Sequence, residues 1–357
     1  MKKLWLYALL TTCLAACAAT TLNDNPHYDR SKPHHTPSGF TNNYSPTVAS
    51  LSPWPWYWDR FQKGLPPPPK NNYAFALATP DVAWLKANRS VPTATWIGHA
   101  TVLLQVGGLN ILTDPHFSER ASPFSWVGPK RMVPPGVALK DLPFIDAVVI
   151  SHNHYDHMDE KTLLQLAEQP GGAPRYFVGL GLKQWLVERS IHNVAEMDWW
   201  EHETFKGVRI TMTPVQHWSA RWTNDRFKTL WGGWAIAATT PQPFNFFFAG
   251  DTGYSKDFAD IGARLGPFDL AAIPIGAYAP RWFMASAHVD PSESIKMHRD
   301  LRARTSLAIH WGTFELTDEP LDEPPAVLAV ERSKAGLTPD QFRVLKHGET
   351  LMLNPAK

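Results

Sequence analysis

The feature that most constrains this chain is the apolar run Ala147-Val148-Val149-Ile150. It passes without a break into Ser151-His152-Asn153-His154-Tyr155-Asp156-His157. An apolar run with no polar alternation predicts a strand covered on both faces. The turn that leaves it carries three histidines and an aspartate within six residues. Side chains leaving one strand end can converge on a point in a cleft. Imidazole and carboxylate are the donors expected of zinc or iron where no thiolate is at hand. A polar surface loop is the bland alternative, and three histidines are costly to cluster unless something uses them.

Thiolates are indeed missing from most of the chain. The two cysteines are Cys13 and Cys17, so disulfides, thiolate zinc sites and cysteine nucleophiles are excluded beyond them. Lys2 and Lys3 precede an apolar stretch from Leu4 to Leu10, and Leu14-Ala15-Ala16-Cys17 follows. This reads as a signal peptide over 1–17 rather than a spanning helix. The placement of Cys17 resembles a bacterial lipobox, in which the cysteine is lipidated and becomes the new N-terminus. A lipid anchor would put the chain in the bacterial cell envelope, at the outer membrane or the periplasmic face. An ordinary secretory signal with an incidental cysteine is the alternative.

Residues 18–52, rich in Thr, Asn, Pro, Ser and His, read as a flexible tether. Trp54, Trp56, Tyr57 and Trp58 come next, then Pro66 to Pro69. They either pack on the domain ahead of a stiff polyproline segment or form an amphipathic surface at a bilayer. The folded body is read as one domain over 53–357. With 44% hydrophobic residues it has ample core material. Lys plus Arg number 34 against 33 Asp plus Glu, with no basic block, so nucleic acid is a poor partner.

Strands are expected at 93–97 and 101–106, with Gly107-Gly108 turning into 109–113 as a hairpin. More are expected at 147–150, 175–178, 208–213, 233–239, 244–248, 270–275 and 306–310. Leu163, Leu164, Leu166 and Ala167 mark a helix. Another starts near Pro291, with Asp290 as N-cap and Glu293 completing a capping box. Two sheets flanked by helices follow from this order.

His-x-His-x-Asp-His after an apolar strand resembles the metallo-β-lactamase superfamily. The resemblance implies an α/β fold, the αββα sandwich, with a dinuclear site at one edge of the sheets. It also implies further ligands at strand ends, and the sequence offers His217 in Thr213-Pro214-Val215-Gln216-His217, Asp251 in Phe248-Ala249-Gly250-Asp251, and His310 in Ala308-Ile309-His310. One ion would take His152, His154 and His217. The other would take Asp156, His157 and His310, with Asp251 bridging. Two ions ~3.5–4 Å apart can share a hydroxide and clamp an in-line displacement. Asp114, in Leu112-Thr113-Asp114-Pro115, matches another superfamily motif and would orient a ligand imidazole from behind. A turn-capping aspartate is its alternative.

Further stretches are similar to the N-acylphosphatidylethanolamine-hydrolysing phospholipase D family. They are Trp96-Ile97-Gly98-His99-Ala100-Thr101, Gln216-His217-Trp218, Gly250-Asp251-Thr252-Gly253-Tyr254, Gly266-Pro267-Phe268-Asp269 through Pro280-Arg281-Trp282-Phe283-Met284, His288-Val289-Asp290-Pro291 and His310-Trp311-Gly312-Thr313-Phe314. The resemblance runs over roughly residues 53–340. It implies a phosphodiesterase that uses two zinc ions per chain and releases an N-acylethanolamine and phosphatidic acid. Asp156, Asp251 and His288 would serve catalysis, and Tyr155 and His288 would bind substrate near the phosphate and head group. A packed tyrosine and a histidine capping the helix at Asp290 are the bland readings. None of the 15 histidines has Lys two places on, which excludes the covalent-histidine phospholipases D. No Gly-x-Ser-x-Gly elbow occurs. Another hydrolase on the same site, such as a lactonase or another phosphodiesterase, stays open. So does a non-enzymatic metal-binding envelope lipoprotein, which would gain little from a bridged, open centre.

Overall fold

The computed structural model describes residues 24–44, 52–66, 69, 73–240 and 242–353. After the short hairpin of β1 (His35–Thr36) and β2 (Gly39–Phe40), one set of strands comprises β3 (Thr93–Gly98), β4 (Thr101–Val106), β5 (Leu109–Thr113), β6 (Ala147–Val149), β7 (Arg175–Gly179) and β8 (Val194–Met197). A second set comprises β9 (His202–Phe205), β10 (Val208–Thr213), β11 (Gly233–Ala238), β12 (Phe244–Phe248), β13 (Leu270–Pro274), β14 (Thr305–Ile309) and β15 (Phe342–Arg343). Last, β16 (Thr350–Met352) returns to the first set. The two seven-stranded sheets have the orders β16-β3-β4-β5-β6-β7-β8 and β15-β14-β13-β12-β11-β10-β9. Helices α1 (Trp54–Lys63), α2 (Val82–Ala87), α3 (Glu160–Ala167), α4 (Lys183–Val187), α5 (Asp257–Arg264), α6 (Arg281–Met284), α7 (Pro291–Asp300) and α8 (Glu323–Lys334) complete the layers. This is the αββα sandwich of the metallo-β-lactamase fold.

Strand β6 shows why the apolar run lacks alternation. Ala147 and Val149 belong to the core between the sheets, with Trp96, Phe177, Trp234 and Phe246. Val148 and Ile150 face the other way, into a second core with Leu163 and Leu166 of α3 and Leu186 of α4. With a side-chain period of 2, one strand fills two cores only if every residue is apolar. Fully burying each Val or Ile there contributes roughly 1.5–3 kcal/mol. The second sheet repeats the device at Phe246-Phe247-Phe248, all fully buried.

The Gly107-Gly108 turn joins β4 to β5 as the sequence predicts. Helix α7 begins with both halves of the capping box, Asp290 accepting from the Glu293 N–H and Glu293 reaching back to the Asp290 N–H. One expectation needs correction. Residues 24–44, read as tether, are docked on the body, with Asn25, His34, His35, Phe40 and Asn42 buried. Their polar composition forms hydrogen bonds to the domain instead of leaving the chain free. The tryptophan-rich segment is helix α1, whose Trp56 is buried while Trp54, Tyr57, Trp58 and Phe61 are exposed. Cys17 and the whole of 1–17 lie outside the described residues. Among the described residues no helix is long and apolar enough to cross a membrane.

Candidate metal centre

Every candidate donor sits just past the carboxyl end of a strand. Asp114 follows β5, His152 to His157 follow β6, His217 follows β10, Asp251 follows β12 and His310 follows β14. Strands β5 to β8 run parallel, as do β12 to β15. Parallel strands collect their carboxyl ends at one edge, where α/β sheets hold their ligands. The close approach of the two sheets there depends on Gly250, at φ 62°. A Cβ on it would lie 2.5 Å from the Ser151 Cβ, so only glycine lets the Asp251 loop pass beneath Ser151.

The donors fall into two groups. His152 Nε2 lies 2.8 Å from His154 Nδ1, and His217 Nε2 lies 3.3 Å from that same atom. Their outer nitrogens are already committed. His152 Nδ1 is 2.9 Å from Ser151 Oγ, which itself donates to Asp114 Oδ2, and His217 Nδ1 donates to the Ala287 carbonyl at 2.9 Å. Three ring nitrogens thus face one another with lone pairs inward. In the second group His157 Nε2 is 3.3 Å from Asp156 Oδ2 and 3.1 Å from Asp251 Oδ2, while His310 Nε2 is 3.0 Å from Asp251 Oδ1. Asp251 also reaches towards the first group, 4.0 Å from His217 Nε2. Asp114 accepts from His157 Nδ1 at 2.6 Å and from the Ser151 N–H at 2.7 Å, so one carboxylate sets the tautomer of ligand candidates in both groups.

Electrostatics divide the groups again. Burial is the largest influence on each histidine and disfavours its charged form. It prevails at His152 and His217, held well below the usual range, and at His154, pushed down to about 3. At His157 and His310 burial is outweighed by the Asp251 and Asp156 charges. His157 lies well above its ordinary value and His310 is raised to about 9. Burial also pushes Asp156 and Asp251 up, but the facing imidazoles overcome it and hold both well below the carboxylate range. The buried atoms His154 Nε2, His157 Nε2, His310 Nδ1 and Asp251 Oδ1 have no hydrogen-bond partner. Convergent nitrogen lone pairs, two buried carboxylates and unmet polar atoms fit divalent metal ions.

The centre opens into a cavity of about 310 Å³. His154, Asp156, Asp251 and His288 form its floor, and Trp56, Phe283 and Met284 form an apolar wall. Burial pushes His288 down to about 4, and its Nδ1, 3.8 Å from Asp251 Oδ2, has no hydrogen-bond partner. The helix cap is Asp290, not His288. Tyr155 is not brought to this cavity. Arg221 donates to the Asn153 and Met158 carbonyls and stacks on the Tyr155 ring at 4.1 Å, and the Tyr155 hydroxyl donates to the Arg221 carbonyl at 3.0 Å. These contacts turn Tyr155 into a neighbouring cleft with Phe124.

Two further residues join the site. His99, at φ 53° in the turn after β3, donates to Asp156 Oδ2 at 2.9 Å. Its signal was its place, one residue past a strand end like the ligand candidates. Arg226 is the one Lys or Arg among the described residues lining the cavity, and it stacks on Trp218 at 4.3 Å. Nothing in its local sequence marks it.

Fold and donor set together define a metal-dependent hydrolase of the metallo-β-lactamase class. Residues 109–311 match the family described as Beta-lactamase superfamily domain, and the chain belongs to that family. It is 44% identical over 233 residues to N-acyl-phosphatidylethanolamine-hydrolyzing phospholipase D 1 of Caenorhabditis elegans, covering 62% of this chain and 64% of the worm protein. The match therefore spans less than two thirds of that relative. The uncharacterized protein Rv0906 of Mycobacterium tuberculosis is 38% identical over 75% of this chain and 69% of its own length. A possible metal-dependent hydrolase from Veillonella parvula shares the fold, with a TM-score of 0.59 at 19% identity over 74% of this chain and 100% of that one.

Proposed function

We propose that the chain is a zinc-dependent phosphodiesterase of the N-acylphosphatidylethanolamine phospholipase D type. It hydrolyses N-acylphosphatidylethanolamine to an N-acylethanolamine and phosphatidic acid. The observation that carries this reading is the meeting, in one cavity, of the metal-type floor and a wall of Trp56, Phe283 and Met284. A diester phosphate needs the first and its acyl chains need the second. The worm relative's name points to the same substrate. His152, His154 and His217 would hold one ion and Asp156, His157 and His310 a second, with Asp251 facing both sets. Two ions bound there would activate water and neutralise the phosphate. Arg226 adds a fixed positive charge for the anionic ester, and the free His288 Nδ1 can hydrogen-bond the phosphate or the departing alkoxide.

The exposed Trp54, Trp58 and Phe61 of α1, with Trp282 nearby, suit a lipid surface. Lipidation at Cys17 would keep the enzyme on its substrate in the envelope. Globomycin should then cause a larger precursor to accumulate, and Cys17→Ser should release the protein from membranes. The reaction is tested with purified, zinc-loaded protein on N-acylphosphatidylethanolamine and on phosphatidylcholine, products identified by mass. In oxygen-18 water the label should enter phosphatidic acid. Label in a released fatty acid would refute the assignment.

A further inference from the structure

The docked residues 24–44 form a strap that ends on a candidate ligand. At its far end Asp198 gathers three side chains: Lys32 Nζ at 2.5 Å, His34 Nε2 at 2.7 Å and His35 Nε2 at 3.0 Å. The His34 ring stacks on Trp199, with centroids 4.3 Å apart. The strap then turns through the β1–β2 hairpin, and the Phe40 N–H donates to the Phe227 carbonyl at 2.9 Å. Gly39, at φ 154°, lies flat on that carbonyl, and a Cβ there would be 2.1 Å from the oxygen. Two residues after Phe40, Asn42 is buried against His217. Its Oδ1 accepts from the His217 N–H at 3.0 Å, and its Nδ2 donates to the His217 carbonyl at 2.9 Å. The Trp231 indole donates to the same Oδ1 at 3.0 Å and holds the amide in place.

This arrangement meets a specific need. His217 lies beyond the end of β10, whose last rung pairs Thr213 with Gly233, so the ladder no longer serves its peptide groups. A buried peptide requires partners, and the Asn42 amide supplies both a donor and an acceptor, as a neighbouring strand would. The imidazole is fixed separately through Ala287. We propose that Asn42 is a positioning residue for His217, and that the strap is an integral part of the metal centre rather than a tether to it. This rests on His217 being a metal ligand.

The test measures zinc affinity of the full chain by chelator competition, together with the cobalt-substituted absorption spectrum and the folded fraction by near-UV circular dichroism. Asn42→Ala should weaken one of two binding steps by about 10–100-fold, the cost of losing an outer partner of a ligand. The other step should be unchanged. Asn42→Asp keeps the acceptor for the His217 N–H and should fall between. Gly39→Ala lifts the strap without altering any residue at the centre, and it should weaken the same step. It decides the matter if Asn42→Ala does not fold. Wild-type affinity in folded Asn42→Ala or Gly39→Ala, beside a weakened His217→Ala, would overturn the inference alone. Unchanged zinc binding in His217→Ala would instead remove the ligand assignment on which it rests, and the inference with it.

Discussion

The two halves of the centre do the same kind of task with different chemistry. The first half holds three imidazoles, His152, His154 and His217, that burial keeps neutral; uncharged partners, the Ser151 hydroxyl and the Ala287 carbonyl, aim the first and the last. Around Asp156 stand two carboxylates and two imidazoles whose affinity for protons is raised, aimed by Asp114 and His99. The first half would select a cation by geometry, since neutral lone pairs must all point inward at once. The second would select it by charge, which acts over distance and tolerates small displacements. Changes in shape should therefore injure the first half, and changes in charge the second.

Asp251 faces both groups, so its removal is the largest effect expected. Asp251→Asn keeps the size and replaces an anionic oxygen by an amide. Turnover in the proposed reaction should fall about a thousand-fold, the upper end of what losing one preorganised polar group of a site costs. Elemental analysis of the same preparation should find fewer than two ions per chain. A variant with two ions and near wild-type kcat would mean that Asp251 joins nothing.

Asp114 and His99 separate the halves on a smaller scale. Asp114→Asn disturbs His157 directly and His152 through Ser151, so both binding steps should weaken by roughly 10–100-fold. His99 touches only the Asp156 side. His99→Gln should weaken one step, by about tenfold, the lower end of that range. Chelator competition resolved into two steps checks this, and equal shifts in both steps for His99→Gln would break the division.

The same contrast explains what was legible in the sequence. Strand-end histidines and aspartates stand out because apolar runs precede them, as Phe246-Phe247-Phe248 precedes Asp251. The β-strands of the sandwich core were readable for the same reason. The neutral supports were not. Asn42 lies 175 residues from His217, in a segment whose Thr, Asn and Pro content is also that of a linker. Its contact with His217 is a tertiary one that no local pattern encodes. Strands β8, β9, β15 and β16 are two to four residues long, too short to carry a period. The direction of the Tyr155 ring is set by Arg221, 66 residues further along the chain, through a tertiary contact that no local pattern encodes.

Arg226 gives the smallest effect and tests charge selection outside the metal centre. It lines the cavity and stacks on Trp218, and no carboxylate pairs with it among the described residues. Its charge therefore stays available to an anionic ester. Because it is only partly buried, water screens the attraction, and a single such contact is worth about 1 kcal/mol or less. Arg226→Gln should therefore raise KM for N-acylphosphatidylethanolamine by about fivefold at most, with kcat nearly constant and zinc affinity unchanged. Arg226→Lys retains the charge without the planar stack and should lie between. The gap between wild type and Arg226→Gln should also narrow as salt is added, because exposed charges are screened. A KM that is identical in all three chains at low ionic strength would show that this cation takes no part in holding the ester.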